Sequence, residues 1–291
     1  MIRVSPLVAI VGETASGKSA LAMDLAQKFS GEIICADSWT VYQGFDVGTA
    51  KPSLQDRTLV PHHLLDVADP NDGFSAAIFQ RMAKAKIANI HERGKLPIMV
   101  GGTGLYIDSV VYDYSFLPPS SPALRQSLNE MSLDEVLSKA EGLGLDMTGI
   151  DLRNKRRVIR LIENSGVRPT KQAMRENTLM LGILMDRESI KARIESRIEH
   201  MFDIGLESEV RMLTERYGWD VEPMKGIGYR EWREYFAEDQ TIEETHERIL
   251  KASTDLAKRQ RTWFKRNRSI QWVVDRSNAE EILTTFLNKT I

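Results

Sequence analysis

An eight-residue segment near the amino terminus constrains the fold of this chain more than any other feature. Residues 12–19 read GETASGKS and fit the pattern G-x-x-x-x-G-K-[ST]. An apolar run at 7–11 predicts a buried strand before the segment, and helical spacing predicts a helix over 18–29 after it. In this strand–loop–helix context, the glycines let successive backbone N–H groups point at a phosphate held at the helix N-terminus.

The segment is therefore predicted to bind a diphosphate or the phosphates of a nucleotide, and its pattern leaves open which of these it holds. Lys18 is expected to reach the outer phosphates, and the hydroxyl of Ser19 to bind Mg²⁺. The predicted phosphate-binding residues are Gly12, Glu13, Thr14, Ala15, Ser16, Gly17, Lys18 and Ser19.

Strands and helices alternate along the first hundred residues. A second strand is predicted at 32–36, a helix at 74–92 and a third strand at 96–100, which ends in GGTG. This alternation predicts an α/β fold in which helices flank a parallel sheet, as in P-loop NTPases. Apolar runs at 179–185 and 270–274 are expected to add strands later in the chain.

A cluster of helix breakers, LPPSSP at 117–122, separates this region from a polar, helical stretch. We therefore predict a first part of the core over 1–117, a helical insertion over 118–177, and a mostly helical completion of the core over 178–291. No internal repeat or low-complexity tract interrupts this organisation.

Charge is distributed unevenly, although the whole chain carries a net charge of only −2. Of the 24 arginines, 19 lie beyond residue 145, and positive charge concentrates at 151–175 and 251–268. Arginine suits forked contacts to phosphate, so both stretches are candidate anion-binding surfaces.

Polar residues follow the predicted strands at the edge where ligands bind in parallel sheets. Asp37 follows the second strand, where it is either a helix N-cap or turn former, or a base or an indirect metal ligand beside the phosphate loop. Thr103 follows the third strand and offers a hydroxyl to a phosphate. Arg197 lies one helical turn after Arg193, and spacing alone is also compatible with two solvated arginines. No acidic residue directly follows the third strand, which argues against ordinary ATP hydrolysis.

Two further features are interpreted as structural. Cys35 is the only cysteine, which excludes an intrachain disulfide and a cysteine-based zinc or iron–sulfur site, and it is expected in the core. The adjacent pair His62 and His63 has no companion ligands and is not expected to bind a metal.

Several segments, in the order in which they occur along the chain, together resemble the tRNA dimethylallyltransferases of the bacterial type, which are also called isopentenylpyrophosphate transferases. The matching segments are GETASGKS at 12–19, ADS at 36–38, DVGTAKP at 46–52, HHLLD at 62–66, FSAA at 74–77, GGTGLY at 101–106, residues 154–160, GIGYR at 226–230, AKRQ at 257–260 and TWF at 262–264.

The resemblance implies that the protein transfers a dimethylallyl group from dimethylallyl diphosphate to N6 of the adenine directly 3′ of the anticodon, position 37 of the tRNA. It implies Asp37 as the general base, Thr103 and Arg197 as diphosphate contacts, and Mg²⁺ at Ser19. The tRNA contacts that it implies are Asp37, Ser38, Trp39, Thr40, Thr103, Arg125, Arg156, Arg157, Val158, Ile159, Arg160, Lys225, Gly226, Ile227, Gly228, Tyr229 and Arg230.

The chain departs from the family pattern at four positions. Glu13 stands where proline is usual, and Ser19 where threonine is usual but the hydroxyl is kept. Trp39 and Thr40 stand where many members carry Met-Gln.

Three other functions compete with this interpretation. A P-loop small-molecule kinase shares the phosphate loop and the Asp after the second strand, but does not account for the arginine-rich second half. An isopentenyltransferase acting on a free adenine nucleotide would not need two basic stretches. A non-catalytic RNA-binding protein would not need Lys18, Ser19 and Asp37 together.

The remaining expectations concern the surroundings of the protein. One cysteine favours a reducing compartment, and no early apolar run is long enough for a signal peptide or a membrane span. We expect a cytoplasmic monomer whose partners are the tRNA anticodon stem-loop and dimethylallyl diphosphate, with no membrane partner.

Overall fold

The computed structural model describes residues 5–118 and 120–290, so Pro119 of the breaker cluster lies outside the described residues. The strands are β1 Leu7–Gly12, β2 Gly31–Cys35, β3 His62–His63, β4 Leu96–Gly101, β5 Thr178–Ile183 and β6 Ile270–Val273. The α-helices are α1 Lys18–Lys28, α2 Leu54–Leu59, α3 Ala76–Glu92, α4 Gly104–Val111, α5 Pro122–Glu130, α6 Leu133–Gly142, α7 Lys155–Glu163, α8 Arg187–Asp203, α9 Leu206–Tyr217, α10 Trp232–Phe236, α11 Ile242–Lys265 and α12 Arg276–Thr290.

The six strands form one sheet in the order β3-β2-β4-β1-β5-β6, with every pair parallel. Because every strand runs in the same direction, the residues after β1, β2, β4 and β5 meet at one edge of the sheet. Strands β1, β2 and β4 are buried along their whole length, as expected for a parallel sheet covered by helices. The predicted α/β fold of the P-loop NTPase kind is confirmed.

Three short elements in the first part of the core were not predicted: β3, α2 and α4. Strand β3 is only two residues long, and both of its histidines are half-buried, so it lacks the apolar run that indicates a strand. Helix α2 has no buried residue and begins at a capping box, in which Ser53 and Asp56 satisfy each other's backbone N–H groups. Local capping rather than an apolar face therefore forms this helix.

Backbone contacts divide the chain into two compact units. One comprises residues 1–111 and 174–291, and the other Tyr112–Ala173. The smaller unit holds helices α5, α6 and α7, which pack around their own apolar core. That core consists of Leu128, Val136, Ala140, Val158, Ile159 and Ile162.

Helices α8, α9 and α11 of the larger unit share a second apolar core beside the sheet. Ile190, Ile194, Ile198 and Met201 form the buried stripe of α8, as their spacing predicts. Arg193 and Arg197 flank this stripe on α8; Arg193 is exposed, whereas Arg197 is half-buried beside Ile198.

Candidate active site

The phosphate loop runs from the end of β1 to the start of α1. Ala15 and Gly17 have φ angles of 61° and 91°, in the left-handed region that lets the chain curl tightly. The Ser16 N–H donates to the Glu13 carbonyl at 3.2 Å. The Ser16 hydroxyl is buried without a hydrogen-bond partner among the described residues. A buried, unsatisfied hydroxyl in such a loop is a group that a bound phosphate could satisfy.

Lys18 lies inside this loop. Its ammonium donates to the Glu13 carbonyl at 3.0 Å. Burial, and then the neighbouring Arg197, lower the pKa of Lys18 to about 8, against the opposing influence of Asp37 and Glu13. An anion bound in the loop would favour the charged lysine and reverse this shift.

Arg197 reaches the loop from α8. Its Nη2 donates to the Thr14 hydroxyl at 2.6 Å, while its Nε is buried with no partner in the described part of the chain. Burial lowers the pKa of this guanidinium, and Asp37 opposes the change. Arg197 therefore keeps one N–H free to bind an anion at the loop.

Asp37 and Thr103 lie in adjacent turns at the ends of β2 and β4. The Asp37 carboxylate accepts from the Trp39 N–H at 2.9 Å, and the Thr103 hydroxyl accepts from the Ser38 N–H at 3.1 Å. The Thr103 N–H in turn donates to the Ala36 carbonyl at 3.3 Å. These bonds fix the carboxylate and the hydroxyl on the same edge as the phosphate loop.

A cavity of about 450 Å³ joins the phosphate loop, Arg197 and Asp37, and Thr103 is not among its lining residues. Thr14, Lys18, Ser19, Asp37 and Arg197 all line it. The wall continues through Trp39, Thr40, Gly48–Pro52, Ile227 and Gly228. A larger open groove of about 820 Å³ runs along α10 and α11, but its lining includes none of these residues and is mostly charged, with the ion pairs Glu234–Arg248 and Asp255–Lys258 among it.

Helix α11 supplies contacts to the loop that sequence reasoning missed. The Gln260 side chain accepts from the Thr14 N–H at 2.7 Å and donates to the Gly102 carbonyl at 3.0 Å. Arg261 forms a forked ion pair with Glu13, with Nη2 3.0 Å from Oε2, and also donates to the Met185 carbonyl at 2.7 Å. The charge that Glu13 brings to the loop is therefore balanced by Arg261.

Two other departures from the family pattern, Trp39 and Thr40, lie beside Asp37. Trp39 is half-buried, and a Cβ atom added at Gly226 would lie 3.2 Å from its indole ring. Thr40 is buried, and its hydroxyl has no partner among the described residues. Trp39 thus connects the Asp37 turn to the segment 225–230.

Within the segment 225–230, only some side chains are accessible. Lys225 and Arg230 are exposed and lie near Glu222 and Glu231, respectively. Ile227 and Gly228 line the cavity. Tyr229 is buried, and its hydroxyl donates to Glu209 at 2.7 Å, so its side chain offers no surface to a tRNA.

The arginines of the smaller unit fall into two groups. Arg156 and Arg157 are exposed on α7. Arg125 and Arg160 instead converge on the buried carboxylate of Glu163, and Arg160 also donates to the Leu117 carbonyl at 2.9 Å. The sequence did not indicate this arrangement, because Arg125 and Glu163 are 38 residues apart.

Val158 and Ile159 belong to the core of the smaller unit. Their side chains are buried, so no side-chain contact with a tRNA is available at these two positions. Val158 and Ile159 could affect tRNA binding only indirectly, by holding the neighbouring arginines of α7 in place.

Cys35 and the histidine pair have structural surroundings. Cys35 is buried at the end of β2, and burial raises the pKa of its thiol to about 12, so it is no nucleophile. The His63 ring bonds to the buried Glu32 at 2.6 Å, and Arg93 bonds to the same carboxylate. Across residues 5–118 and 120–290, no group of three or more His, Cys, Asp or Glu side chains could hold a metal ion.

No helix within the described ranges is both long and apolar enough to cross a membrane.

Comparisons with known proteins agree on one family. The model of the IPP transferase family matches residues 40–267. A tRNA dimethylallyltransferase of Anoxybacillus flavithermus is 41% identical over 277 residues, which cover 91% of this chain and 89% of the relative. The crystal structure of a full-length tRNA isopentenylpyrophosphate transferase from Bacillus halodurans is 34% identical, with a TM-score of 0.77, and covers 99% of this chain and 98% of its own.

A eukaryotic dimethylallyltransferase, solved in crystallographic snapshots of its action on tRNA, has the same fold. It is 25% identical to this chain, with a TM-score of 0.72, and the match covers 89% of this chain and 70% of that one.

Proposed function

The chain belongs to the IPP transferase family, and we propose that it transfers a dimethylallyl group from dimethylallyl diphosphate to N6 of the adenine at tRNA position 37. The products are N6-dimethylallyladenosine in the tRNA and free diphosphate. One observation supports this proposal above all: a single cavity is lined by the phosphate loop, two cationic side chains and a carboxylate.

The phosphate loop and its two cations suit a diphosphate leaving group. As the bond between carbon and the bridging oxygen breaks, negative charge develops on the diphosphate. Lys18 and Arg197 stabilise this charge, and the free Nε of Arg197 is one donor still available for it. Thr103, across the Ser38 turn, is the hydroxyl that we propose for the same anion.

Asp37 is the group that we propose as general base. The exocyclic amine of adenine is a weak nucleophile because its lone pair is delocalised into the ring. A carboxylate within hydrogen-bond reach can accept the N6 proton as the new C–N bond forms, which typically accelerates transfer by about 10²–10⁴-fold. The Trp39 N–H orients the Asp37 carboxylate through one oxygen.

The surroundings of Ser19 suit Mg²⁺, because Mg²⁺ in phosphate sites usually takes few protein ligands and keeps water and substrate oxygens as the rest. Ser19 is exposed at the cavity beside the loop, so its hydroxyl is free to be one such ligand. When bound there, the ion would offset negative charge on the diphosphate.

The tRNA anticodon stem-loop is the second substrate in this proposal. The target adenine must leave its stack to reach a cavity inside the protein, so we expect base flipping. We propose Ser38, Trp39, Thr40 and the segment 225–230 as contacts near the flipped base. Arg156 and Arg157, which are exposed, are the cations that we propose to contact the tRNA backbone. Arg125 and Arg160 could contact it only while they also bind the Glu163 carboxylate.

We further propose that the enzyme acts as a monomer in the cytoplasm.

The test supplies labelled dimethylallyl diphosphate with tRNA, AMP or ATP as acceptor. The proposal predicts label in tRNA, at N6 of adenine 37, and none in the free nucleotides. Label in AMP or ATP but not in tRNA would instead favour a nucleotide isopentenyltransferase. A parallel arm with γ-labelled ATP tests the kinase alternative, and transfer of that phosphate to a small acceptor would contradict the proposal.

A further inference from the structure

Three consecutive backbone N–H groups converge on one carboxylate at the wall of the cavity. Those of Asp46 and Val47 donate to one oxygen of Glu209 at 3.0 and 2.7 Å, and that of Gly48 donates to the other at 3.0 Å. Successive N–H groups arranged in this way form an anion-binding nest. Here the anion is internal and comes from α9, more than 160 residues later in the chain.

The same carboxylate also binds Tyr229, in a second segment of the cavity wall. The Tyr229 hydroxyl donates to Glu209 Oε1 at 2.7 Å. Burial, followed by the nearby Glu209, raises the pKa of this hydroxyl well above its ordinary value, so it stays protonated and remains a donor. The Tyr229 ring packs directly on Gly48, where an added Cβ would lie 2.5 Å from Cζ.

Both segments that Glu209 binds contribute to the wall of the candidate active site. Residues 48–52 line one part of the cavity, and Ile227 and Gly228 line another. The far end of the first segment is fixed separately, because the buried Lys51 ammonium bonds to Asp46 at 2.7 Å and Asp66 at 2.5 Å. Glu209 is thus the group that connects this segment to 226–230.

We infer that Glu209 is a positioning residue for the transfer reaction, one that holds the segments 46–52 and 226–230 in the register needed to receive the tRNA. This inference rests on the proposed function. Glu209 itself does not line the cavity and touches no reacting atom. Each of the two Glu209 carboxylate oxygens accepts two hydrogen bonds. A side-chain amide of the same shape has only one acceptor oxygen, so it cannot bind all four donors.

Glu209→Gln tests this inference with little change in shape. The glutamine replaces one acceptor oxygen with an NH₂ group, which leaves two of the four donors facing another donor. Hydrogen exchange at the Asp46, Val47 and Gly48 amides should accelerate at least tenfold, on the order of one lost hydrogen bond. Glu207→Gln is the matched control, because Glu207 lies on the same helix and pairs only with Arg211 among the described residues.

The activity measurement separates positioning from general damage. For Glu209→Gln, kcat/KM for tRNA should fall by about ten- to a hundredfold, as expected when a reacting group is misplaced slightly. The dissociation constant for dimethylallyl diphosphate should change less than about threefold, because the loop, Lys18 and Arg197 make no contact with Glu209. Tyr229→Phe removes one donor, and its effect on kcat/KM should be less than additive with that of Glu209→Gln, because both variants disrupt one interaction.

Four outcomes would overturn the inference. In Glu209→Gln, the amide exchange could stay unchanged, or kcat/KM for tRNA could stay unchanged although exchange is faster. Alternatively, kcat/KM for tRNA could fall as much in Glu207→Gln as in Glu209→Gln, or Glu209→Gln could lose as much affinity for dimethylallyl diphosphate as it loses in kcat/KM for tRNA. Failure of the proposed function has a different signature. In that case the wild type itself would not label tRNA, whereas amide exchange would still report whether Glu209 holds the loop.

Discussion

At the scale of single residues, the candidate site depends on groups that burial has left incompletely satisfied. Lys18 bonds to a loop carbonyl, and the Nε of Arg197 and the hydroxyl of Ser16 have no partner within the described residues. Unsatisfied buried polar groups are costly, so their presence together indicates a site preorganised for an anion. The proposed diphosphate would satisfy all three.

The charge of Lys18 should make the affinity for dimethylallyl diphosphate depend on pH. Its pKa of about 8 means that the empty site loses the lysine charge as the pH rises above 8. The affinity for dimethylallyl diphosphate should therefore fall between pH 8 and pH 9.5, by up to about tenfold per pH unit. Isothermal titration calorimetry at constant Mg²⁺ would measure this affinity at each pH.

The stability of the ligand-free protein should change in the opposite direction. The unfolded chain keeps the Lys18 proton up to an ordinary pKa near 10.5, so between pH 8 and 10.5 it binds more protons than the folded chain. The Lys18 contribution to stability therefore rises with pH over this interval. Lys18→Met should abolish both dependences, and an affinity that stays constant from pH 7 to 9.5 would show that the lysine charge is not what binds the diphosphate.

At the scale of elements, α11 acts as a brace across the carboxyl ends of the strands. Gln260 connects the loop after β1 to the turn after β4, and Arg261 connects the same loop to the residues after β5. The Trp263 indole packs on Gly104 at the start of α4, where an added Cβ would lie 2.4 Å from the ring. Three neighbouring residues of one helix thus fix the spacing of the site.

The Glu13–Arg261 pair is the charged part of this brace. Both side chains are largely buried, with 4% and 16% of their surface exposed. Glu13→Gln leaves the Arg261 charge without its partner and should lower the free energy of unfolding by about 3 kcal/mol, as breaking a buried pair does. Urea unfolding would measure this loss.

Glu13→Gln combined with Arg261→Met is the companion variant. Because it removes both charges, it should recover a large part of the stability lost in the single variant. If Glu13→Gln were as stable as the wild type, the pair would not brace the loop.

The elements also show where sequence reasoning succeeds. Strands β1, β2 and β4 and helices α1 and α3 follow from local signals, namely apolar runs, helical spacing and a capping Ser75. Their order places the phosphate loop and Asp37 on one edge of the sheet before any contact is known. Gln260, Arg261 and Glu209 could not be found in this way, because each acts on residues more than 160 positions away and has no local pattern.

At the scale of the whole molecule, the two compact units carry different parts of the proposed function. The larger unit holds the cavity, whereas the smaller unit holds the basic helix α7. Charge counts in the sequence predicted an anion-binding surface over 151–175, but they could not show that Glu163 engages two of the candidate arginines, Arg125 on α5 and Arg160 on α7. Only the folded arrangement shows which arginines this buried carboxylate binds.

The exposed arginines make a prediction about salt dependence. Each tRNA phosphate contact that is lost should flatten the slope of log K against log salt concentration by about 0.7–0.9. Arg156→Ala combined with Arg157→Ala should therefore bind tRNA more weakly at low salt, with a slope shallower by about 1.4–1.8. Filter binding from 50 to 300 mM salt would measure the slope.

The control for this variant is Arg153→Ala combined with Arg168→Ala. It removes the same charge from the same unit, but these two arginines lie near Asp151 and Asp146 and are not among the proposed contacts. Its slope should match that of the wild type. Equal slopes for all three proteins would show that α7 does not bind the tRNA backbone.

The central claim is one reaction in the larger unit: as the diphosphate leaves from the phosphate loop, Asp37 takes the proton from N6 of a bound tRNA adenine. Asp37→Asn keeps the shape of the side chain but removes the base. In a single-turnover assay with saturating dimethylallyl diphosphate and tRNA, its transfer rate should fall by about 10²–10⁴-fold, while the tRNA dissociation constant changes little. Transfer at a near-normal rate in this variant would contradict the account, because the cavity would then complete the reaction without its carboxylate.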